Sequence, residues 1–292
     1  MTTGGGMELG DGHARLVLAP EEGAAIARYD ALVPGRAPIP LLRAGDGTGT
    51  SGCQLLVPWS NRISSGGFTF EGRFHAVEPN FPGEPFPIHG DGFQKPWRVA
   101  AHGATEAELV LDEGAIGPYR YRACVTYVLR DGALEARLTV ENRAGIRLPY
   151  GLGFHPWFPR NARTMLRARA ERVWLEDARH LPTGVASVAE HPWWDFSQAS
   201  LLPADWVNNA FVGWDRRAAI RQPEQGIVLE LSASPELDVY ILYSPSPDAG
   251  FFCFEPVSHP VDAHHGEGLT VLDDGETISA TMRLDWAVVE TD

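Results

Sequence analysis

Thr277-Ile278-Ser279-Ala280-Thr281-Met282-Arg283-Leu284-Asp285-Trp286 alternates polar and apolar residues without a break. Successive side chains of a strand point to opposite faces, whereas a helix needs apolar positions three and four apart. The stretch therefore reads as a strand with one buried face. Leu134, Ala136, Leu138 and Val140 alternate in the same way with Glu135, Arg137, Thr139 and Glu141. Further strand-like runs cover residues 15–18, 121–129, 165–175, 227–233, 239–243 and 251–254. Between two of them, Arg130-Asp131-Gly132 supplies the Asp-Gly pair suited to a tight hairpin, and Asp273-Asp274-Gly275 turns the chain into the last strand. The chain has 31 glycines and 23 prolines, and no capped stripe of helical period interrupts the strand pattern. Many short strands joined by glycine-rich turns predict an all-β fold, a sandwich or a barrel.

No linker, repeat or low-complexity block divides the 292 residues, so one domain over 1–292 is expected. The glycine-rich start is expected to leave residues 1–7 as a disordered tail. Segment 56–97 is dense in proline, glycine and aromatic residues, which in a compact domain reads as a binding surface rather than plain connection.

The formal net charge of −14 disfavours nucleic acid and anionic membranes as partners, since both require a basic footprint. A local basic pocket, and with it a phosphorylated substrate, stays open. Cys53, Cys124 and Cys253 are too few and too widely spaced for a disulfide framework or a metal site, and all three read as small core residues. There is no signal-peptide pattern and no apolar run of roughly 18 residues, so a cytoplasmic location is expected.

Two patterns point to chemistry and fail. Gly47-Thr48-Gly49-Thr50-Ser51-Gly52 has dinucleotide-loop spacing, but it runs into the strand-like Cys53-Gln54-Leu55-Leu56-Val57-Pro58 instead of a helix. His264-His265, near Asp262 and Glu267, are adjacent on an extended chain and point apart, so they read as a polar loop and not as metal ligands. Neither a metal nor a cofactor is expected.

Three other segments place polar groups where packing alone is an awkward explanation. They are Pro58-Trp59-Ser60-Asn61-Arg62-Ile63 with Pro87-Ile88-His89-Gly90, then Gly151-Leu152-Gly153-Phe154-His155-Pro156-Trp157-Phe158, then Phe251-Phe252-Cys253-Phe254-Glu255-Pro256. Singly, each polar residue has a plain reading: Arg62 pairs with a carboxylate, His89 caps a turn, His155 is a satisfied core histidine. Together they offer one His and one Glu as an acid–base pair, with Arg, a second His and tryptophans, the inventory a sugar site requires.

In this order and spacing, the segments resemble the aldose 1-epimerase, or galactose mutarotase, family, and the likeness runs on through Leu272-Asp273-Asp274-Gly275-Glu276. Trp214-Asp215 is similar to a bacterial epimerase-like branch of it. The resemblance implies a large, twisted antiparallel β-sandwich that interconverts the α and β anomers of a free aldose without cofactor, as a monomer or homodimer. It implies Glu255 as the base at the anomeric hydroxyl, His155 as the acid at the ring oxygen, and Arg62, His89, Asn61 and Trp157 as sugar-binding residues. Where the family usually carries an Asp three residues before a Phe, this chain has Asn208 before Phe211. Asn208 binds hydroxyls without a charge, which leaves the preferred sugar open. Two other readings remain: a hexose-6-phosphate 1-epimerase, with Arg73, Lys95 and Arg98 as phosphate candidates, and a non-catalytic carbohydrate-binding sandwich.

Overall fold

The alternating strand Thr277–Val288 lies between Ile227–Ala233 and Ala133–Asn142 in a nine-stranded sheet. Ile278, Ala280, Met282 and Leu284 are buried on one face, as the alternation requires. Facing that sheet is an eleven-stranded one whose middle is formed by Cys53–Leu56, Gly153–Pro159, Phe251–Val257, Val239–Ser244 and Val207–Val212. All pairings between strands are antiparallel among the residues that this computed structural model describes, 6–44 and 52–289. One hydrophobic cluster fills the space between the two sheets; Phe154, Phe158, Phe252, Phe254, Tyr240 and Phe211 enter it from one side, Val125, Tyr127, Leu138 and Met282 from the other. The fold is the expected antiparallel sandwich. Short 3₁₀ turns are its only helical elements among the described residues.

The hairpin at Asp131-Gly132 forms as read. Both residues have positive φ, 52° and 83°, the pairing a two-residue loop needs to match the strand twist. Some expectations are corrected. Met7 already pairs with Leu18, so the expected tail over residues 1–7 does not extend to its last residue; residues 1–5 lie outside the described residues. The run 165–175 is two strands, Met165–Arg167 in one sheet and Arg172–Glu176 in the other. Its periodicity could not show that the chain changes layers at Ala168, whose N–H turns to the Phe196 carbonyl. Cys53 and Cys253 are buried, but Cys124 is only half-buried. His264 is not simply part of a polar loop: its ring packs 4.5 Å from Phe68, and its Nε2 lies 2.8 Å from the Tyr119 hydroxyl. The glycine pattern at 47–52 lies outside the described residues except for Gly52. No helix among the described residues is long and apolar enough to cross a membrane.

Candidate active site

Strand alternation builds the site. In Phe251–Val257, Phe252 and Phe254 point into the core, so Cys253 and Glu255 emerge on the opposite face of the eleven-stranded sheet. In the neighbouring Gly153–Pro159, Phe154 and Phe158 take the core side and His155 the other. The two strands are paired, and this brings His155 Nε2 to 3.4 Å from Glu255 Oε1. Asn208 and its cross-strand partner Tyr243 continue the same face. A cavity of about 230 Å³ opens over it, lined also by Asn61, Arg62, Glu84, Ile88, His89, His180 and Trp206.

Segment 56–97 closes one side of the cavity, and its backbone is held in uncommon conformations. Asn61 and His89 both have φ near 60°, in the left-handed region that non-glycine residues seldom occupy away from functional or turn positions. A Cβ on Gly90 would lie 1.9 Å from the Val57 carbonyl oxygen, so only glycine lets the chain bring His89 this close. The Asn61 N–H donates to His89 Nδ1 at 3.0 Å, which leaves Nε2 as the N–H donor of that ring. Asn61 Oδ1 accepts from the Arg62 backbone N–H at 2.9 Å, and Arg62 forms a fork with Glu84, Nη2 to Oε1 at 2.9 Å and Nε to Oε2 at 3.0 Å.

Burial dominates the electrostatics. It raises the Glu255 carboxyl to about 8 against a smaller opposing pull from Arg62, and lowers His155 to about 4. His89 is pushed well below its ordinary value by burial, with His155, Arg62 and His259 adding to the effect. Burial thus favours the uncharged form of each group, a carboxylic acid beside a neutral imidazole. This is one proton shared by two groups in contact, and a tightly coupled pair of this kind titrates as a unit. Glu255 Oε2 and His155 Nδ1 are buried without a hydrogen-bond partner, which is costly unless a ligand uses them.

Of the sugar-binding residues read from the sequence, Arg62, His89, Asn208 and Asn61 line the cavity. Trp157 is not among the lining residues: beside His155 on the same strand face, its ring stacks on His155 at 5.3 Å and 13°, with the Arg43 guanidinium over its face at 5.5 Å. Glu84, His180, Trp206 and Tyr243 were not singled out from the sequence. Tyr243 alone carried a signal, since it falls in register with Ile241 on an alternating strand; the others lie in loops without periodicity. The phosphate candidates do not converge here. Arg73 is on a separate exposed strand, while Lys95 and Arg98 line another hollow, paired with Asp91 and Asp112. A hollow of about 320 Å³ lies toward the other end of these strands, around Trp174, Val212 and Val239, and has no histidine among its lining residues.

One trio among the described residues has metal-ligand proximity: His155, Cys253 and Glu255 offer donor atoms within 4.8 Å of one another. Burial pushes the Cys253 thiol well above its ordinary value and raises Glu255, so without a cation both favour their protonated forms.

The twisted antiparallel sandwich is a galactose mutarotase-like fold. The aldose 1-epimerase family model matches residues 7–285, and the chain belongs to that family. It is 34% identical to the uncharacterised protein YphB of Escherichia coli (strain K12), over 85% of this chain and 89% of that one. A crystal structure from the same organism, provisionally assigned as an aldose 1-epimerase, superposes with a TM-score of 0.90 at 32% identity, covering 98% of this chain and 99% of the other. The aldose epimerase homologue of C. elegans shares the fold at 17% identity, with a TM-score of 0.84 over 98% and 99% of the two chains. Family membership supports an isomerase acting on carbohydrates.

Proposed function

We propose that this protein is an aldose 1-epimerase for a free, uncharged sugar, with Glu255 as base and His155 as acid. The observation that carries the reading is the 3.4 Å contact between a buried carboxyl and a buried imidazole on the floor of a sugar-sized polar cavity.

The reaction needs one group that takes a proton and one that gives a proton, and the pair holds one proton between them. In the reactive tautomer of the pair the proton sits on His155 and Glu255 is the carboxylate, the form that the nearby positive charge of Arg62 favours. Glu255 removes the anomeric hydroxyl proton while His155 protonates the ring oxygen. The C1–ring-oxygen bond breaks and C1 becomes an aldehyde. Rotation about C1–C2 presents the other carbonyl face, and ring closure returns both protons to their starting groups. Such acid and base steps typically contribute about 10² to 10⁴ each. His89 Nε2–H and Arg62 are the donors for sugar oxygens, and Trp157 buttresses the His155 ring.

A free sugar is favoured over a phosphorylated one because the guanidinium lining the cavity already meets a carboxylate, Glu84, in a bidentate pair. The test is optical-rotation relaxation of freshly dissolved α-D-glucose, α-D-galactose and α-D-glucose 6-phosphate, with and without protein. Faster relaxation of a free sugar is expected. Acceleration of the phosphate alone would move the assignment to the hexose-6-phosphate reading. If a wider panel of free and phosphorylated aldoses is bound but never accelerated, the protein is a carbohydrate-binding sandwich and the proposal fails.

A further inference from the structure

Opposite segment 56–97, the cavity wall is made by Asn208, His180, Trp206 and Tyr243. Three of these four converge on one carboxylate that does not itself line the cavity. Glu176 Oε2 accepts from Asn208 Nδ2 at 3.0 Å; Glu176 Oε1 meets His180 Nδ1 at 3.0 Å and accepts from Trp206 Nε1 at 3.3 Å. The Glu176 side chain is only 18% exposed.

The backbone around it is arranged for this convergence. The pairing of Arg172–Glu176 with its neighbour slips at Leu175/Glu176, a bulge that re-aims the side chain at the end of the strand. Four residues on, His180 takes φ 62°, in a turn stapled by Asp177, whose Oδ1 accepts from the N–H groups of Arg179 and Leu181. The ring of His180 then stacks on Trp206 at 5.5 Å and 25°, and Trp206 stands edge-on to Tyr243 at 5.2 Å. A left-handed non-glycine residue and a strand bulge, both serving the contacts of one carboxylate, are features expected of a functional wall more than of a surface loop.

We propose that Glu176 is a positioning residue that sets which sugars this site accepts; the inference rests on the sugar-epimerase reading above. By committing the Asn208 amide nitrogen, Glu176 leaves the amide oxygen as the acceptor for a ligand, and the carboxylate charge polarises that oxygen through the amide. By taking the His180 Nδ1 proton in a hydrogen bond, it leaves Nε2 for the ligand. The wall so built offers acceptors backed by a negative charge and two aromatic rings. Its complement is the hydroxyl-donating, anion-free part of a neutral aldose, with apolar C–H surface against Trp206. A carboxylate or phosphate at that end of the substrate meets acceptors and is rejected.

The experiment uses a 1,5-anhydrohexitol, a sugar without an anomeric hydroxyl, whose binding does not depend on catalysis. Binding is measured by calorimetry for the wild type, Glu176→Gln, Asn208→Ala and the double variant, beside KM and kcat on the preferred aldose. Glutamine keeps the shape but turns an N–H group toward donors that need an acceptor. Glu176→Gln is expected to weaken analogue binding and raise KM by about tenfold each, with kcat within about twofold. Adding it to Asn208→Ala is expected to cost less than it does alone, because the two residues act through one contact. Unchanged analogue binding in both single variants overturns the proposal, as does a fall in kcat with KM unaltered. So does failure of the wild type to bind any neutral analogue. Wild-type binding without turnover of any aldose removes the epimerase reading, while the binding arm still decides the role of Glu176.

Discussion

Phe254 and Glu255 are neighbours on one strand, almost equally removed from water, and chemically opposed. Phe254 is fully buried in the core between the sheets and stacks on Tyr240 at 4.5 Å. Glu255, 3% exposed, faces the other way, beside His155 and under the cavity. On the core side, burial removes apolar surface from water and stabilises the fold. On the cavity side it desolvates a carboxyl and an imidazole, which opposes folding whenever either must be charged. The same strand is thus a source of stability on one face and holds a perturbed carboxyl on the other. The difference shows that depth of burial alone does not tell a core residue from one that faces the cavity; the face of the strand does.

The sharpest way to break this comparison is to alter each side separately. Glu255→Gln is expected to lower kcat by about 10² to 10⁴ with the fold intact, and His155→Ala by a similar factor, both read by polarimetry. Phe254→Ala is expected to do the reverse, costing about 3–5 kcal/mol in denaturant unfolding while the surviving folded fraction keeps its turnover. Wild-type kinetics in Glu255→Gln would remove the distinction between the two faces.

Proton linkage sharpens it further. The shared proton is lost as pH rises through about 8, where Glu255 ionises, and a second is gained as pH falls through about 4, where His155 becomes charged. Turnover should therefore be flat between these limits and fall outside them. Stability follows the same pair. The folded-state value of Glu255 is raised, so its contribution is present at low pH and is lost as pH climbs from the ordinary 4.5 through about 8. The folded-state value of His155 is depressed, so stability falls as pH drops from 6.5 through about 4. Glu255→Gln should flatten the alkaline limb of a stability–pH curve and leave the acid limb in place.

Smaller effects are expected at the rim and far from the site. Glu84→Ala releases Arg62 from its fork and should let a hexose 6-phosphate compete with a free sugar several-fold better, as measured by inhibition of anomer exchange. Gly132→Ala, at φ 83° and with its new Cβ 3.0 Å from Trp286 Nε1, should cost about 1 kcal/mol of stability and no activity.

The sandwich was legible in the sequence because alternation reports each residue's face, and Thr277–Val288 follows it through most of its length. Glu255 and His155 could be singled out for a related reason, as polar residues set among apolar or aromatic neighbours, whereas Arg62 and His89 drew notice only with the other segments and the resemblance they carry. The partners that hold the cavity walls were not legible. Arg62 meets Glu84 across 22 residues and Asn208 meets Glu176 across 32, through loops and a bulge that leave no period. Trp157, which the resemblance implied as a sugar-binding residue, stacks on His155 along the same strand face and does not line the cavity. The change of sheet within 165–175 was hidden because both strands alternate and only the hydrogen bonds between them differ.

The most direct test of the central claim is two-dimensional exchange NMR between the α and β anomeric protons of the preferred aldose at neutral pH, comparing wild type with Glu255→Gln at equal folded concentration. Cross-peaks that build up with wild type and drop to the protein-free rate with the variant are the predicted result. Equal exchange in the two samples would contradict the assignment of Glu255, and with it the functional half of the comparison.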